Sequence, residues 1–246
     1  MKQLLKKKGL VLTSRDYKEN ARLLTILTEN GLENTILRGA NKINSKNKAF
    51  SITPVCIEYV ATSSTTLPTL TEGNILQNYT NIKMDSTKSL IVTAIIEKCL
   101  TFIENIDEKT MFFNFITIIM GKMENTQYPK LLLNLFEIKL MYLLGIEPVI
   151  NHCLICQKVS NSYVMSLAYG GTICKECQGK AQYELDASQT KLFQYLYLIK
   201  LDKVDDAFLG LVSQTGIHLD NWIDMYYQKY IDFRSKTKKI IKRMEE

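Results

Sequence analysis

Through the first 80 residues the apolar positions alternate with polar ones in short runs, and past residue 81 their interval lengthens towards 3.6. Residues 10–13 read as a short strand, and 23–28 and 34–38 flank Asn30-Gly31, a strong hairpin signal. Residues 50–60 alternate again, with Val55, Ile57 and Tyr59 on one face, Cys56, Glu58 and Val60 on the other, and Pro54 fitting a strand start. A polar turn at 62–66 leads to a fifth β-prone piece at 67–75. Five short strands in so little chain predict a small barrel or a strongly bent sheet, because an open sheet of this size has two edges to protect. Helical spacing follows. Asp85 or Ser86 caps a stretch carrying Leu90, Ile91, Ala94, Ile95, Phe102 and Ile103; residues 111–123 form a largely buried helix; and Pro129 starts a helix over 131–144 that Gly145 ends. Beyond a cysteine-rich stretch, Ser188 caps another helix, and 204–212 and 219–231 complete the set. Trp222, Tyr226 and Tyr230 share one helical face and read first as core. The fold class expected is α+β: a barrel of the OB type over 1–80, then an all-α domain over 81–246 with a four-cysteine module inserted at 151–179.

Composition is that of a globular chain of 246 residues, 46% hydrophobic and 23% charged. No apolar run reaches the roughly 18 residues of a spanning helix, so a soluble, cytoplasmic protein without membrane contact is expected. The net charge of +6 is modest, but its placement is uneven: residues 1–80 hold 8 lysines and 3 arginines against 6 carboxylates, nearly the whole excess. A second basic group, Arg234, Lys236, Lys238, Lys239, Lys242 and Arg243, reads as a solvated, frayed helix end.

The cysteines carry the sharpest chemistry. Cys153, Cys156, Cys174 and Cys177 are spaced C-x2-C-x17-C-x2-C, a pattern that suits four thiolates around one tetrahedral zinc ion. The segment between the pairs resembles a short hairpin, with a polar turn at 160–162, a β-prone run at 163–169 and Gly170-Gly171 turning the chain back. Two disulfides or a redox dithiol are the competing readings. No secretory signal is evident, Cys56 and Cys99 sit singly in apolar stretches, and neither pair opens a helix after a strand, so zinc is preferred. A shell of four cysteines has no open position, which makes the ion structural. His152 adjoins Cys153 but is not needed to fill it.

Signs of catalysis are few. Gly121-Lys122 and Gly179-Lys180 lack the rest of a phosphate-binding loop, and the hydrolase, zinc-protease and dinucleotide motifs are missing. His152 and His218 have no nearby nucleophile to activate. A binding protein fits better than an enzyme. Lys6, Lys7 and Lys8 before the first strand, and Arg38, Lys42, Lys46 and Lys48 in the polar loop after the third, would line a small barrel as single-strand-binding folds do. Tyr17, Phe50 and Tyr59 are the aromatics available for stacking. A solubilising loop is the plain alternative.

Several stretches together resemble one family. They are Tyr17-x-Glu19-x-x-x-Leu23-Leu24-x-x-Leu27-Thr28-x-x-Gly31, then Arg38-Gly39-Ala40 with its basic loop, then Phe136-Glu137-x-x-Leu140-x-x-Leu143-Leu144-Gly145-x-x-Pro148 running into Cys153-x-x-Cys156, and Gly170-Gly171 before Cys174-x-x-Cys177. Their order and spacing resemble the RecO family of bacterial DNA repair and recombination mediators across nearly the whole chain. The resemblance implies an N-terminal OB-fold, a helical C-terminal part with the zinc module, and binding to single- and double-stranded DNA. It also implies ATP-independent annealing of complementary strands and help in loading recombinase onto strands coated by single-strand-binding protein, in the RecFOR pathway of the DNA damage response. RecR and the acidic C-terminal tail of single-strand-binding protein are the implied partners, and the bacterial cytoplasm, with nucleoid association, the implied location. The rival classes are a zinc-stabilised protein adaptor without DNA binding and a transcription or translation factor.

Overall fold

The computed structural model describes residues 4–42, 44–62 and 67–244, with side chains from Lys6 onward. It divides into two compact units, residues 1–92 with 98–125, and residues 93–97 with 126–246.

The first unit is built on a closed five-stranded barrel, β1 (Leu4–Tyr17), β2 (Ala21–Thr28), β3 (Gly31–Arg38), β4 (Val55–Thr62) and β5 (Thr69–Gln77), in the order β1-β2-β3-β5-β4. Strand β1 is far longer than residues 10–13. A bulge between Val11 and Thr13 bends it, so that its first half pairs antiparallel with β4 and its second half with β2. Asn30-Gly31 makes the expected β2–β3 hairpin, with Gly31 at φ +109. Strand β4 starts at Val55, because residues 46–51 form a 3-10 turn that tucks Phe50 into the barrel. Val55, Ile57 and Tyr59 face inward as their alternation requires, and join Val11, Leu24, Ile26, Leu37 and Leu70 in the barrel core. Residues 63–66 of the polar turn read from the sequence lie outside the described residues. Gly9 is a packing requirement: a Cβ there would stand 2.3 Å from the Ile26 side chain.

Three helices belong wholly or partly to this unit: α1 (Thr80–Met84), α2 (Ser86–Phe102) and α3 (Lys109–Asn125). Asp85 caps α2 through the Lys88 amide, as expected. The Glu124 carboxylate accepts from the amides of Asn81 and Ile82, satisfying the orphan donors that open α1. Helix α3 packs against β2 and β3, and Thr110 Oγ1 donates to the Glu29 carbonyl at the β2–β3 hairpin. That end of the barrel is therefore covered.

In the second unit α4 (Pro129–Leu143) is the central, nearly all-buried helix, started by Pro129 and ended by Gly145 at φ +64. Around it pack α5 (Ala187–Leu198), α6 (Asp206–Gln214) and α7 (Asp220–Ile231). Helix α5 starts two residues earlier than expected: Asp186, not Ser188, is the cap, in a reciprocal capping box with Gln189. Trp222 and Tyr226 are buried as core, and with Tyr230 they stack in a ladder at 4.8 and 4.3 Å between ring centroids.

The terminal basic group is not a frayed end. Residues 236–243 form α8 (Lys236–Arg243), capped by Ser235, whose hydroxyl donates to Glu97 while Glu97 also accepts from the Lys236 and Thr237 amides. Lys238 points inward, 7% exposed, to Glu137 at 2.9 Å and Asp224 at 2.5 Å, and Lys242 reaches Asp224 at 2.8 Å. Burial pushes the Asp224 carboxyl up, but the two lysines outweigh it and hold it below the usual carboxylate range. Its stabilising share is thus complete above an unfolded pKa near 3.9 and is lost as pH falls through the depressed folded value, so α8 should stay docked down to about pH 4. Lys238→Ala leaves Glu137, 1% exposed, without this cation. The expected cost is about 3 kcal/mol, a fall of roughly 6–12 °C in melting temperature by circular dichroism.

Candidate metal centre and nucleic-acid interface

The four cysteines of the doubled motif meet. Their Sγ atoms all lie within 4.8 Å of one another, three of the residues buried and Cys156 half-buried. Cys156 Sγ and Cys174 Sγ are 3.8 Å apart, close to the roughly 3.8 Å edge of a tetrahedron of sulfurs each about 2.3 Å from one ion. None of the six cysteines is in a disulfide, and convergence of four sulfurs on one point suits a shared ion better than two separate S–S bonds.

The local chain explains the convergence. Two turns present the sulfurs: one at 153–156, where Gln157 takes φ +61 and donates its amide to the Cys153 carbonyl, and one at 174–177, closed by the Cys177 amide on the Cys174 carbonyl. Between them β6 (Tyr163–Ser166) and β7 (Gly171–Cys174) form the expected hairpin, with Tyr163 opposite Cys174. The turns are sewn together by the Leu154 amide on the Thr172 carbonyl and by Thr172 Oγ1 on the His152 carbonyl. His152 turns its ring to Asn151 at 2.7 Å and stands outside the cluster. Around Cys153, burial pushes the thiol up, but backbone amides of Cys174, Cys156 and Ile155 directed at its sulfur bring it below its ordinary value. Such amides favour a thiolate at Cys153, whereas burial pushes the Cys174 and Cys177 thiols up. A buried, closed, all-sulfur set of this shape can hold one metal ion, with no position left for substrate.

Anchors from within the same unit hold the module. Met165 bridges to Leu185, Gly171 bridges to Val149, Tyr230 donates to the Leu167 carbonyl, and Gln194 donates to the Ile150 carbonyl. Gly171 must be glycine, since a Cβ would lie 2.3 Å from the Val149 carbonyl oxygen. Gly171→Ala should part this bridge and raise amide exchange of Thr172 and Val149 by about a hundredfold, while the barrel amides keep their rates.

The cations sort into two groups. Arg38, Lys42, Lys46 and Lys48 are all exposed, on one loop at the barrel end opposite α3, and among the described residues none of the four is in an ion pair. The loop is shaped rather than slack: Asn47 donates to the Arg38 carbonyl at 2.9 Å, Ser45 caps the 3-10 turn, and Asn41 reaches Asp16 at 3.3 Å. Lys6, Lys7 and Lys8 are elsewhere. Lys6 pairs with Glu58 at 2.9 Å, and Lys7 pairs with Glu33 at 2.6 Å while Tyr59 donates to the same carboxylate. Glu33 and Arg38 are five residues apart on β3, about 17 Å of strand. Lys8 is exposed, opposite Glu58. Sequence reasoning passed over Arg15 and Lys18, both exposed and near the loop's end of the barrel: the β1–β2 turn lies beside Arg38 through the register Tyr17↔Ala21 and Ala21↔Arg38. Only the register brings them there, so spacing along the chain gave no signal.

Among the described residues no helix is long and apolar enough to cross a membrane. Residues 1–79 match the family model for the N terminus of recombination protein O, and residues 84–239 that for its C terminus. The chain is 27% identical to the DNA repair protein RecO of Bacillus pumilus and 27% to that of Bacillus subtilis, in each case over 98% of this chain and 95% of the relative. A third relative, the DNA repair protein RecO of Listeria monocytogenes, is 24% identical over 97% of this chain and 94% of its own length. The two halves of the family model fall in order on the barrel and on the helical region with its four cysteines, and the chain belongs to the RecO family.

Proposed function

We propose that this protein is a DNA repair and recombination mediator that binds single- and double-stranded DNA through the barrel of residues 1–80. It anneals complementary strands without ATP and helps load recombinase onto strands coated by single-strand-binding protein. The observation that carries the reading is the loop of Arg38, Lys42, Lys46 and Lys48, exposed at the end of a closed barrel away from α3 in a chain of the RecO family. Annealing needs two polyanions to approach, and neutralising phosphates lowers their repulsion and releases counterions. That chemistry requires cations in fixed positions and no catalytic group, so the protein acts by binding rather than as an enzyme. Lys8 and, after exchange of their carboxylate partners, Lys6 and Lys7 complete the proposed set.

The cysteine cluster is read as one structural zinc ion, held by Cys153, Cys156, Cys174 and Cys177; a closed set of four thiolates suits zinc by donor softness and geometry. RecR and the acidic tail of single-strand-binding protein are the proposed partners, and the cytoplasm, at the nucleoid, the proposed location.

The test is annealing of complementary oligonucleotides coated with single-strand-binding protein, in the absence of ATP. Acceleration over the spontaneous rate by the zinc-loaded protein supports the reading. A folded, zinc-loaded protein that neither anneals nor retains DNA at moderate salt would instead be an adaptor between proteins.

A further inference from the structure

Resting on that DNA-binding reading, we infer that Tyr17, at the tip of the β1–β2 hairpin, is a base-stacking residue that gives the site a preference for single strands over duplex.

Three aromatic residues occur in residues 1–77, and the fold disposes of two. Phe50 and Tyr59 are 9% and 1% exposed and belong to the barrel core, so neither can meet a base. Tyr17 is half-buried and outside that core, at the last position of β1. It stands at the end of the barrel that α3 leaves uncovered, next to the cationic loop by the register already given. In small barrels of this type the loop joining the first two strands is one of the positions that meet an oligonucleotide.

The surroundings suit a π-face aimed at a nucleotide. Lys18 takes a left-handed backbone, φ +56, and lays its ammonium over the Tyr17 ring at 5.4 Å from the centroid. An exposed lysine side chain can swing from ring to phosphate at little cost, so a base can take the ring face while the lysine keeps a charge beside it. Arg15 and Lys18 add two cations to the four of the loop. Of the carboxylates here, Asp16 is engaged by Arg22 at 2.9 Å and by Asn41, and Glu19 is exposed in the turn. Arg22 also donates to Ser14 Oγ and to the Ser14 carbonyl, which fixes the strand end that carries Tyr17. A duplex keeps its bases stacked on one another and offers phosphates and groove edges but no free base face. A single strand offers phosphates and base faces together.

The experiment compares the full-length protein with Tyr17→Leu, which retains apolar volume without an aromatic face, and Tyr17→Phe, which retains the face. Binding to oligo(dT) and to a duplex of equal length is measured by anisotropy across a salt series. Stacking of one base predicts that Tyr17→Leu weakens oligo(dT) binding about tenfold, leaves duplex binding within about twofold and keeps the salt slope, while Tyr17→Phe binds like the parent. In Tyr17→Trp the new indole should be quenched by oligo(dT) and not by duplex, against the steady signal of buried Trp222. Equal loss on both ligands, or no loss on either, overturns the stacking role while leaving the DNA-binding reading in place. A parent that binds neither ligand overturns that reading itself.

Discussion

Cys174→Ser is expected to abolish stoichiometric zinc and to unfold the module between residues 149 and 185. The serine oxygen is a poor replacement for the thiolate of Cys174, which is also the residue where β7 ends and the second turn begins. Apparent binding free energy in sites of this class is about 10 kcal/mol or more, larger than any other single contribution discussed for this fold, and a hairpin of four-residue strands has little core beyond Tyr163, Val164 and Ile173 to replace it. Metal analysis should give one zinc per chain in the parent and well under half in the variant. Hydrogen exchange should show Val164 and Ile173 losing protection and the barrel amides unchanged. Chelation of the parent should reproduce the pattern. A variant that keeps both zinc and protection would mean that the four sulfurs do not act as one site.

The second large effect is expected from alanine at Arg38, Lys42, Lys46 and Lys48 together. Each phosphate contact on a single strand contributes about 0.7 to the slope of log affinity against log salt, so loss of four contacts should flatten the slope by about 3 and lower affinity about a hundredfold at physiological salt. Annealing should fall with it. Stability should change little, because all four side chains are exposed and the loop's shape rests on Asn47, Ser45 and Asn41 instead. The same substitution at Lys6 and Lys7 has a different forecast. It strands Glu58 and Glu33 without their cations, so any loss of binding there would have to be separated from a change in the barrel itself.

The alternation at 55–59 places Val55, Ile57 and Tyr59 inside the barrel without further information, since a strand with one buried face allows one register. The cysteine spacing is equally readable, because a C-x-x-C turn and tetrahedral sulfur chemistry are local. What was misread depends on partners far along the chain. Three consecutive lysines at 6–8 hide a strand that is tolerated because Glu58 and Glu33 wait on neighbouring strands. Helix α8 looks solvated because its inward residue is a lysine, and the carboxylate it meets lies 101 residues earlier. Phe50 sits in an alternating stretch yet enters the core from a 3-10 turn, where period 2 does not hold. The grouping of Lys18 with Arg38 is a fact of register, and no window along the sequence contains it.

The bend in β1 also orders events in time. Hairpins β1–β2 and β2–β3 join residues close in sequence, whereas closure brings Leu4 to Thr62, and among the described residues β3 meets β5 at two registered pairs, Ile36↔Thr69 and Leu37↔Leu70. The three-stranded meander should therefore assemble early and the β3–β5 seam last, since long loops must close before distant pairings stabilise them. Substitutions in β2 and β3 then slow folding, while those along β5 chiefly speed unfolding. In the native state the same seam should open before the meander, as hydrogen exchange would read. Because Arg38 is paired with Ala21 in the meander, and Asn47 and Asn41 tie the cationic loop to Arg38 and Asp16, that loop keeps its place when the seam opens.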